Sequence, residues 1–376
     1  MVAPLPNEVA YALIERVGGR AVAERHGGAL VQLAGGLPIQ IVPASRALAY
    51  EARRGRLDRA ELHISAEAQD SFRLVYETLD PSVRVLLHAA AFLNHERIVR
   101  TELRRHLEKA IKSDAEFERR LDTCLDLHLF EEEAGALRMH QLFASFLNRI
   151  PTDRTLKTKL KQVRGRQWQS FVALGRKVAA NPADRELVSA LLTYPLQPTE
   201  WEKAHVGYSG EDADELSDAL AEIGRFVEAQ VWGKRGGAEK ERGDAQGRVD
   251  HQSLGSSLHH VGYCLSRMGK FEEALPWYER AVAEVKQGDV HGRVDHDSMG
   301  RSLLQIGYCQ SRMGKFEEAW PWFERAVTEI GQGDAHGRVN HDSLGTSLRS
   351  LAFCLRQLGR PEEAQKYEDR AHQLPS

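Results

Sequence analysis

No stretch of this 376-residue chain reads G-x-x-x-x-G-K-S/T. A phosphate cradle needs that glycine-rich turn between a strand and a helix, with lysine on the phosphates and a hydroxyl on the metal. Gly18-Gly19-Arg20 and Gly27-Gly28 lack the lysine, the hydroxyl and a preceding apolar strand. No acidic run follows a hydrophobic strand, so a magnesium-holding carboxylate is also missing. ATP hydrolysis by this chain alone is therefore not expected. No apolar run approaches the ~20 residues that cross a bilayer. The opening MVAPLPNEV has no signal-peptide shape, so the cytoplasm is the expected location and no membrane partner is expected. Charge of one sign is missing too. The 51 basic and 54 acidic residues leave a formal net charge of −3, no footprint for nucleic acid. The basic stretch Lys157 to Arg166 reads as a solvated helix face or an inter-domain contact. Cysteine is scarce, at four residues. Cys264, Cys309 and Cys354 recur at one slot and read as small buried apolar residues; Cys124 stands alone. No pair has metal-site spacing, and no metal is expected.

What is present is a repeat. Near-identical stretches begin at Gly247, Gly292 and Gly337, 45 residues apart. A worn copy precedes them, with Gly224, Phe226, Glu228 and Ala229 in register with Gly269, Phe271, Glu273 and Ala274. A fixed period of this size means stacked supersecondary units. In the second copy Leu258, Val261, Leu265 and Met268 recur at helical spacing. Gly269 interrupts, and Phe271, Ala274, Leu275, Tyr278, Ala281 and Val282 resume the pattern. Gly269, Gly314 and Gly359 suit left-handed helix C-caps. Small Ala274, Ala319 and Ala364 allow close helix approach. Each unit is predicted to be a helix–turn–helix hairpin.

The pattern resembles the tetratricopeptide repeat. Leu258, Val261, Gly262, Leu265, Gly269, Phe271, Ala274, Tyr278 and Ala281 occupy its slots, as do Leu303, Ile306, Gly307, Gln310, Gly314, Phe316, Ala319, Phe323 and Ala326. The family unit is about 34 residues. The extra segment between hairpins (KQGDVHGRVDH, then GQGDAHGRVNH) is itself repeated, as in long repeats of the kinesin light chain type. The last copy replaces Tyr278 and Phe323 by Glu368, which reads as a polar terminal cap. Gly233 stands in the same slot of the worn copy.

The first half has no period. Gly36-Leu37-Pro38-Ile39 lies between two helical patterns. Asp80-Pro81 is predicted to start a helix. Leu121, Leu125 and Leu127 are assigned to a further helix. A hairpin is predicted from Leu129-Phe130-Glu131 and Leu137-Arg138-Met139-His140 around a short turn. Another helix follows, with Leu142, Phe143, Phe146 and Leu147. This order resembles a winged helix. Together with Gly36-Leu37-Pro38-Ile39 and Arg138-Met139-His140-Gln141, it resembles the back half of the nucleotide-binding module of STAND regulators of the NB-ARC type. Gln141 departs from that family, which has aspartate there. The resemblance implies nucleotide contacts at Pro38 and His140, with ADP or ATP bound only if a phosphate-loop domain is supplied from elsewhere. An upstream NTPase domain is an expected partner, and the chain is expected to be the carboxy-terminal part of a STAND protein.

The reading is a nearly all-α chain: a winged-helix-like helical domain with a small β-hairpin, then a tetratricopeptide α-solenoid. The expected boundaries are 1–65 for a remnant of the small NB-ARC subdomain, 66–150 for the winged-helix-like domain, 151–211 for a helical junction and 212–376 for the repeats. No catalytic constellation stands out. Glu272-Glu273, Glu317-Glu318 and Glu362-Glu363 read as surface residues opening each second helix. His251, His296 and His341 read as capping residues, with Asp297/Ser298 and Asp342/Ser343. The resemblance to tetratricopeptide arrays implies a groove lined by each first helix, and that groove is the candidate site. By spacing of three and four it carries Ser256, His259, Tyr263 and Arg267, then Arg301, Leu304, Tyr308 and Arg312, then Thr346, Arg349, Phe353 and Arg356. Aromatics flanked by arginines suit an acidic peptide or protein surface. The expected function is a non-enzymatic sensor or regulator that captures a protein. The alternatives are a plain tetratricopeptide scaffold and a nucleotide switch completed in trans.

Overall fold

The computed structural model describes residues 4–53, 70–94, 96–133 and 135–375. The chain is nearly all-α and falls into two compact units. Unit 1 comprises Met1–Phe171, Ser189–Pro195 and Lys203–Val206; unit 2 comprises Val172–Val188, Leu196–Glu202 and Gly207–Ser376. Residues 151–211, read above as a junction, are divided between them.

Unit 1 opens with α1 (Asn7–Gly18), α2 (Arg20–Ala34) and α3 (Pro38–Arg53). Gly35 and Gly36 both take positive φ, 53° and 73°, and stop α2 before Pro38 starts α3. A Cβ on Gly36 would meet the Leu5 carbonyl oxygen at 2.7 Å, so only glycine fits there. Next come α4 (Asp70–Thr78) and α5 (Pro81–Ala91). Asp80 caps α5 by accepting from the Ser82 N–H at 2.9 Å, with Pro81 in the first turn, as its sequence predicts. Then follow β1 (Ile98–Val99), α6 (Arg100–Leu107), α7 (Asp114–Asp126), β2 (Glu131–Glu133), β3 (Ala136–Arg138) and α8 (Gln141–Arg149). The α7 helix stops at Asp126, so Leu127 is its cap residue rather than a member. The hairpin forms, with Glu131 opposite Arg138 and Glu133 opposite Ala136. A third strand joins it: Ile98 pairs with Leu137, giving the antiparallel order β1-β3-β2. Two residues are too few to show a strand period, so β1 has no sequence signal.

The long helix α9 (Arg154–Ala180) carries Arg164 and Gln167 into the core of unit 1. Arg164 donates to the His88 carbonyl at 2.8 Å and to Gln167 Oε1 at 2.7 Å, and lies 3.8 Å from the Phe92 ring centroid. Gln167 donates to the Ala89 carbonyl at 2.9 Å. Both carbonyls belong to the last turn of α5, where helical partners run out. A buried cation suits that negative helix end. Burial pushes both His88 and His106 down to about 4. Tyr76 and Tyr194 meet their Nε2 atoms at 2.9 and 3.0 Å.

After the short α10 (Arg185–Leu191) and α11 (Pro198–Lys203), unit 2 stacks four hairpins. They are α12 (Gly210–Glu222) with α13 (Phe226–Lys240), α14 (His251–Arg267) with α15 (Phe271–Val285), α16 (His296–Arg312) with α17 (Phe316–Ile330), and α18 (His341–Gln357) with α19 (Pro361–His372). Gly269, Gly314 and Gly359 have φ of 76°, 77° and 72°, the left-handed turn expected of them. Asp250, Asp295 and Asn340 cap the first helices through the N–H groups of Ser253, Ser298 and Ser343. The caps thus sit one residue before the histidines. His251 and His296 instead reach the far end of their own hairpins, with Nδ1 at 2.7 Å from Glu284 and Glu329. The extra segment is a folded loop. Asp289 accepts from the His291 and Arg293 N–H groups and pairs with the Arg293 guanidinium; Asp334 and Arg338 repeat this.

Within each hairpin one slot pair covaries along the array. A Cβ on Gly262 would meet the Tyr278 ring at 2.8 Å, and one on Gly307 would meet Phe323 at 2.8 Å. In the first hairpin Ser217 faces the small Gly233, and its hydroxyl donates to the Ala229 carbonyl at 2.8 Å. In the last, Ala352 and Glu368 hold these slots, and Glu368 turns to Arg356.

Candidate partner-binding face of the repeats

The aromatic slot of each first helix carries Tyr263, Tyr308 and Phe353. Each ring stands edge-on to the phenylalanine that opens the preceding second helix: Phe226, Phe271 and Phe316, with centroids 6.4, 6.3 and 6.4 Å apart. Such pairs fix ring orientation. Tyr263 is half-buried, whereas Tyr308 is 44% and Phe353 55% exposed. Large exposed rings held by a rigid partner are ready contact surface at small entropy cost.

The arginines use the same rings as shelves. Arg267 lies 5.1 Å from the Phe226 centroid and donates to the Tyr263 hydroxyl at 2.7 Å. Arg312 lies 5.6 Å from the Phe271 centroid. Arg349 reaches only the Thr346 hydroxyl, at 3.4 Å. Among the described residues none of the three has a carboxylate partner. Several arginines elsewhere in the array are neutralised, Arg242 by Glu239, Arg293 by Asp289, Arg338 by Asp334 and Arg360 by Glu363.

Two cavities lie on this face. One of about 280 Å³ is lined by Ser256, His259, His260, Tyr263, Arg301 and Ser302, among others. The other, of about 590 Å³, is lined by Tyr308, Arg312, Phe316, Phe323, Arg349 and Phe353, with Ser311 and Thr346. The structure therefore brings Tyr308, Arg312, Arg349 and Phe353 together. Tyr263 and Arg301 meet at the smaller cavity, and Arg301 is already engaged by Asp297 at 3.3 Å. Arg356 stands apart: it pairs with Glu368 at 2.7 Å, and Gln357 takes the slot of Arg267 and Arg312. Spacing of three and four misplaced it; the 45-residue register places it correctly. His260, beside His259, carries no sequence signal of its own. Burial alone would lower it, but Asp218 at 2.9 Å and the nearby Asp214 and Glu222 raise it overall. His259 is pushed by burial down to about 3 and meets Ser302 Oγ at 2.9 Å.

Pro38 and His140 each start a helix. Pro38 opens α3, and His140 caps α8, its Nδ1 accepting from the Leu142 N–H at 3.2 Å. Among the described residues no group of His, Cys, Asp and Glu can hold a metal, and no helix is long and apolar enough to cross a membrane. All four cysteines are buried and unpaired, and burial raises the Cys309 thiol to about 11.

Tetratricopeptide-repeat family profiles match residues 254–286 and 300–329. The chain therefore contains tetratricopeptide repeats. No curated protein matches. Among solved structures, BtubC (BKLC) from P. vanneervenii is 13% identical, with 58% of this chain and 78% of that one covered and a TM-score of 0.39. A putative kinesin light chain with nearly identical TPR-like repeats from Podosopora anserina is 19% identical, covering 55% and 93%, TM-score 0.37. A Signal Transduction ATPase with Numerous Domains (STAND) protein with a tetratricopeptide repeat sensor from Pyrococcus horikoshii is 15% identical, covering 98% of this chain and 59% of that one, TM-score 0.38.

Proposed function

We propose that this chain is a non-enzymatic capture protein whose repeat face binds an acidic, aromatic-containing segment of a partner protein. The observation that carries this is the contrast among arginines. Those in the inter-hairpin loops are neutralised, while Arg267, Arg312 and Arg349 are stacked on rings or left on the surface without an acid. A guanidinium held in place but not neutralised is prepared for a carboxylate from outside. The exposed Tyr308 and Phe353 rings supply the apolar contact that gives such a pair its strength.

The test is fluorescence anisotropy of a labelled peptide rich in glutamate and tryptophan against its lysine counterpart. The acidic peptide is expected to bind, the lysine one not. Arg312→Glu should weaken binding at least ~10-fold, while Arg356→Glu, whose parent arginine already has Glu368, should not. Equal binding of both peptides would sink the proposal.

Within this reading the first unit is the signalling half of a STAND-type regulator, with the β1-β3-β2 sheet and its flanking helices as a winged-helix-like module. The support is Gly36-Leu37-Pro38-Ile39 at the α2–α3 turn and Arg138-Met139-His140 at the β3–α8 junction. DNA is disfavoured as a partner, because the hairpin carries Glu131, Glu132 and Glu133, all exposed.

A further inference from the structure

Unit 1 holds a cavity of about 450 Å³ lined by the first turns of α5 and α9. Its charged lining is three cations and one acid: Arg84, Arg154, Lys159 and Asp153. Arg84 is pinned. Its Nε donates to the Leu79 carbonyl at 3.1 Å, its Nη2 to the Glu77 carbonyl at 2.8 Å, and its guanidinium lies 4.9 Å from the Tyr76 centroid. Among the described residues Arg84, Arg154 and Lys159 have no carboxylate partner. Arg104, Arg120 and Arg138 of the same unit each hold one. Both helix ends are already capped, α5 by Asp80 and α9 by Asp153, which accepts from the Leu156 N–H at 2.8 Å. The free charge at this place is therefore on the side chains.

We infer that this cavity binds a phosphate group carried by a small organic molecule. Like charges gathered around one space repel, and a bound anion relieves that cost. A phosphate monoester brings about two negative charges and three acceptor oxygens, enough to engage three cations at once. The volume lies in the range of small-molecule sites, roughly 300–1,000 Å³, and exceeds what phosphate alone needs. Pro81, Val85 and Leu156 are the apolar residues of the cavity's lining. The site is independent of the repeat face.

The test is calorimetric titration of the full chain with ADP, adenosine, pyrophosphate and a short DNA duplex. ADP and pyrophosphate are expected to bind and adenosine not. The Arg154→Gln/Lys159→Gln double variant should bind ADP at least ~10-fold more weakly. Arg312→Glu, in the other unit, should bind it as the parent does. Arg154 and Lys159 lie at the surface, and thermal melting of the double variant checks that it folds. Absence of binding by ADP and pyrophosphate at millimolar concentration would overturn the site, as would equal affinity in the double variant. Loss with His140→Ala alone would move the phosphate to the β3–α8 junction. Tight duplex binding that the double variant loses would make the patch a nucleic-acid surface instead.

Discussion

The repeat array and the core of unit 1 both satisfy polar groups internally, but they do so in opposite ways. In the array several polar devices are small and recur: an aspartate or asparagine cap, an Asp–Arg loop clasp and a His–Glu tie. Losing one copy leaves the others standing, since such stacks gain stability unit by unit. In unit 1 a single guanidinium, Arg164, meets two acceptors and a ring at once, and the described residues hold no second copy of it. The difference teaches how to separate structure from function. Where a unit repeats, a residue kept in every copy and satisfied within its own hairpin is structural. One held in place but left without a carboxylate, as Arg267 and Arg312 are in a shared slot, is a candidate for binding. Unit 1 has no internal control of this kind.

The largest expected effect lies in unit 1. Arg164→Met should destabilise that unit by about 3 kcal/mol, because the His88 carbonyl and the Gln167 amide oxygen would stay buried without a donor. Urea unfolding followed by hydrogen exchange should show the loss in unit 1 amides and little change in the repeats. A loss spread equally over both would break the contrast. Next in size is Gly307→Ala, whose new methyl would press on the Phe323 ring at 2.8 Å and cost about 2 kcal/mol by thermal melting. The double change Gly307→Ala/Phe323→Leu should recover part of that, following the covariation seen along the array. Removing one cap, Asp295→Ala, should cost only about 1 kcal/mol.

The smallest effect is a pH dependence of the loops. Hydrogen bonds from the Arg338 side chain and backbone hold the Asp334 carboxyl down at about 2, and Arg293 does the same for Asp289. A depressed carboxylate adds stability above its ordinary value near 4, and that stability fades as the pH falls towards 2. Melting temperature measured from pH 5 to pH 2 should therefore drop less steeply in Asp289→Asn/Asp334→Asn than in the parent. An identical slope would show that the clasps contribute nothing.

The hairpins, their glycine turns and the 45-residue step were legible in the chain because each signal is local and repeated four times. The Asp80-Pro81 helix start was legible for the same local reason. The loop clasps are local as well, yet only the fold shows that their aspartates accept backbone N–H groups. Arg356 illustrates the limit of spacing alone, since a helix face read by threes and fours drifts off register within four turns. The fold instead follows the period and puts Gln357 in that slot.

The sequence by itself determined that this is a stacked helical array with a helical front half. Helical period, caps and turn glycines act over a few residues and need no distant partner. Only the tertiary structure decided which charges are satisfied. Whether Arg312 meets a carboxylate, whether Arg164 finds the end of α5, and whether β1 finds β3 depend on elements brought together from far along the chain. Those meetings set the local charge balance, and the unbalanced places are where a partner or a phosphate is expected.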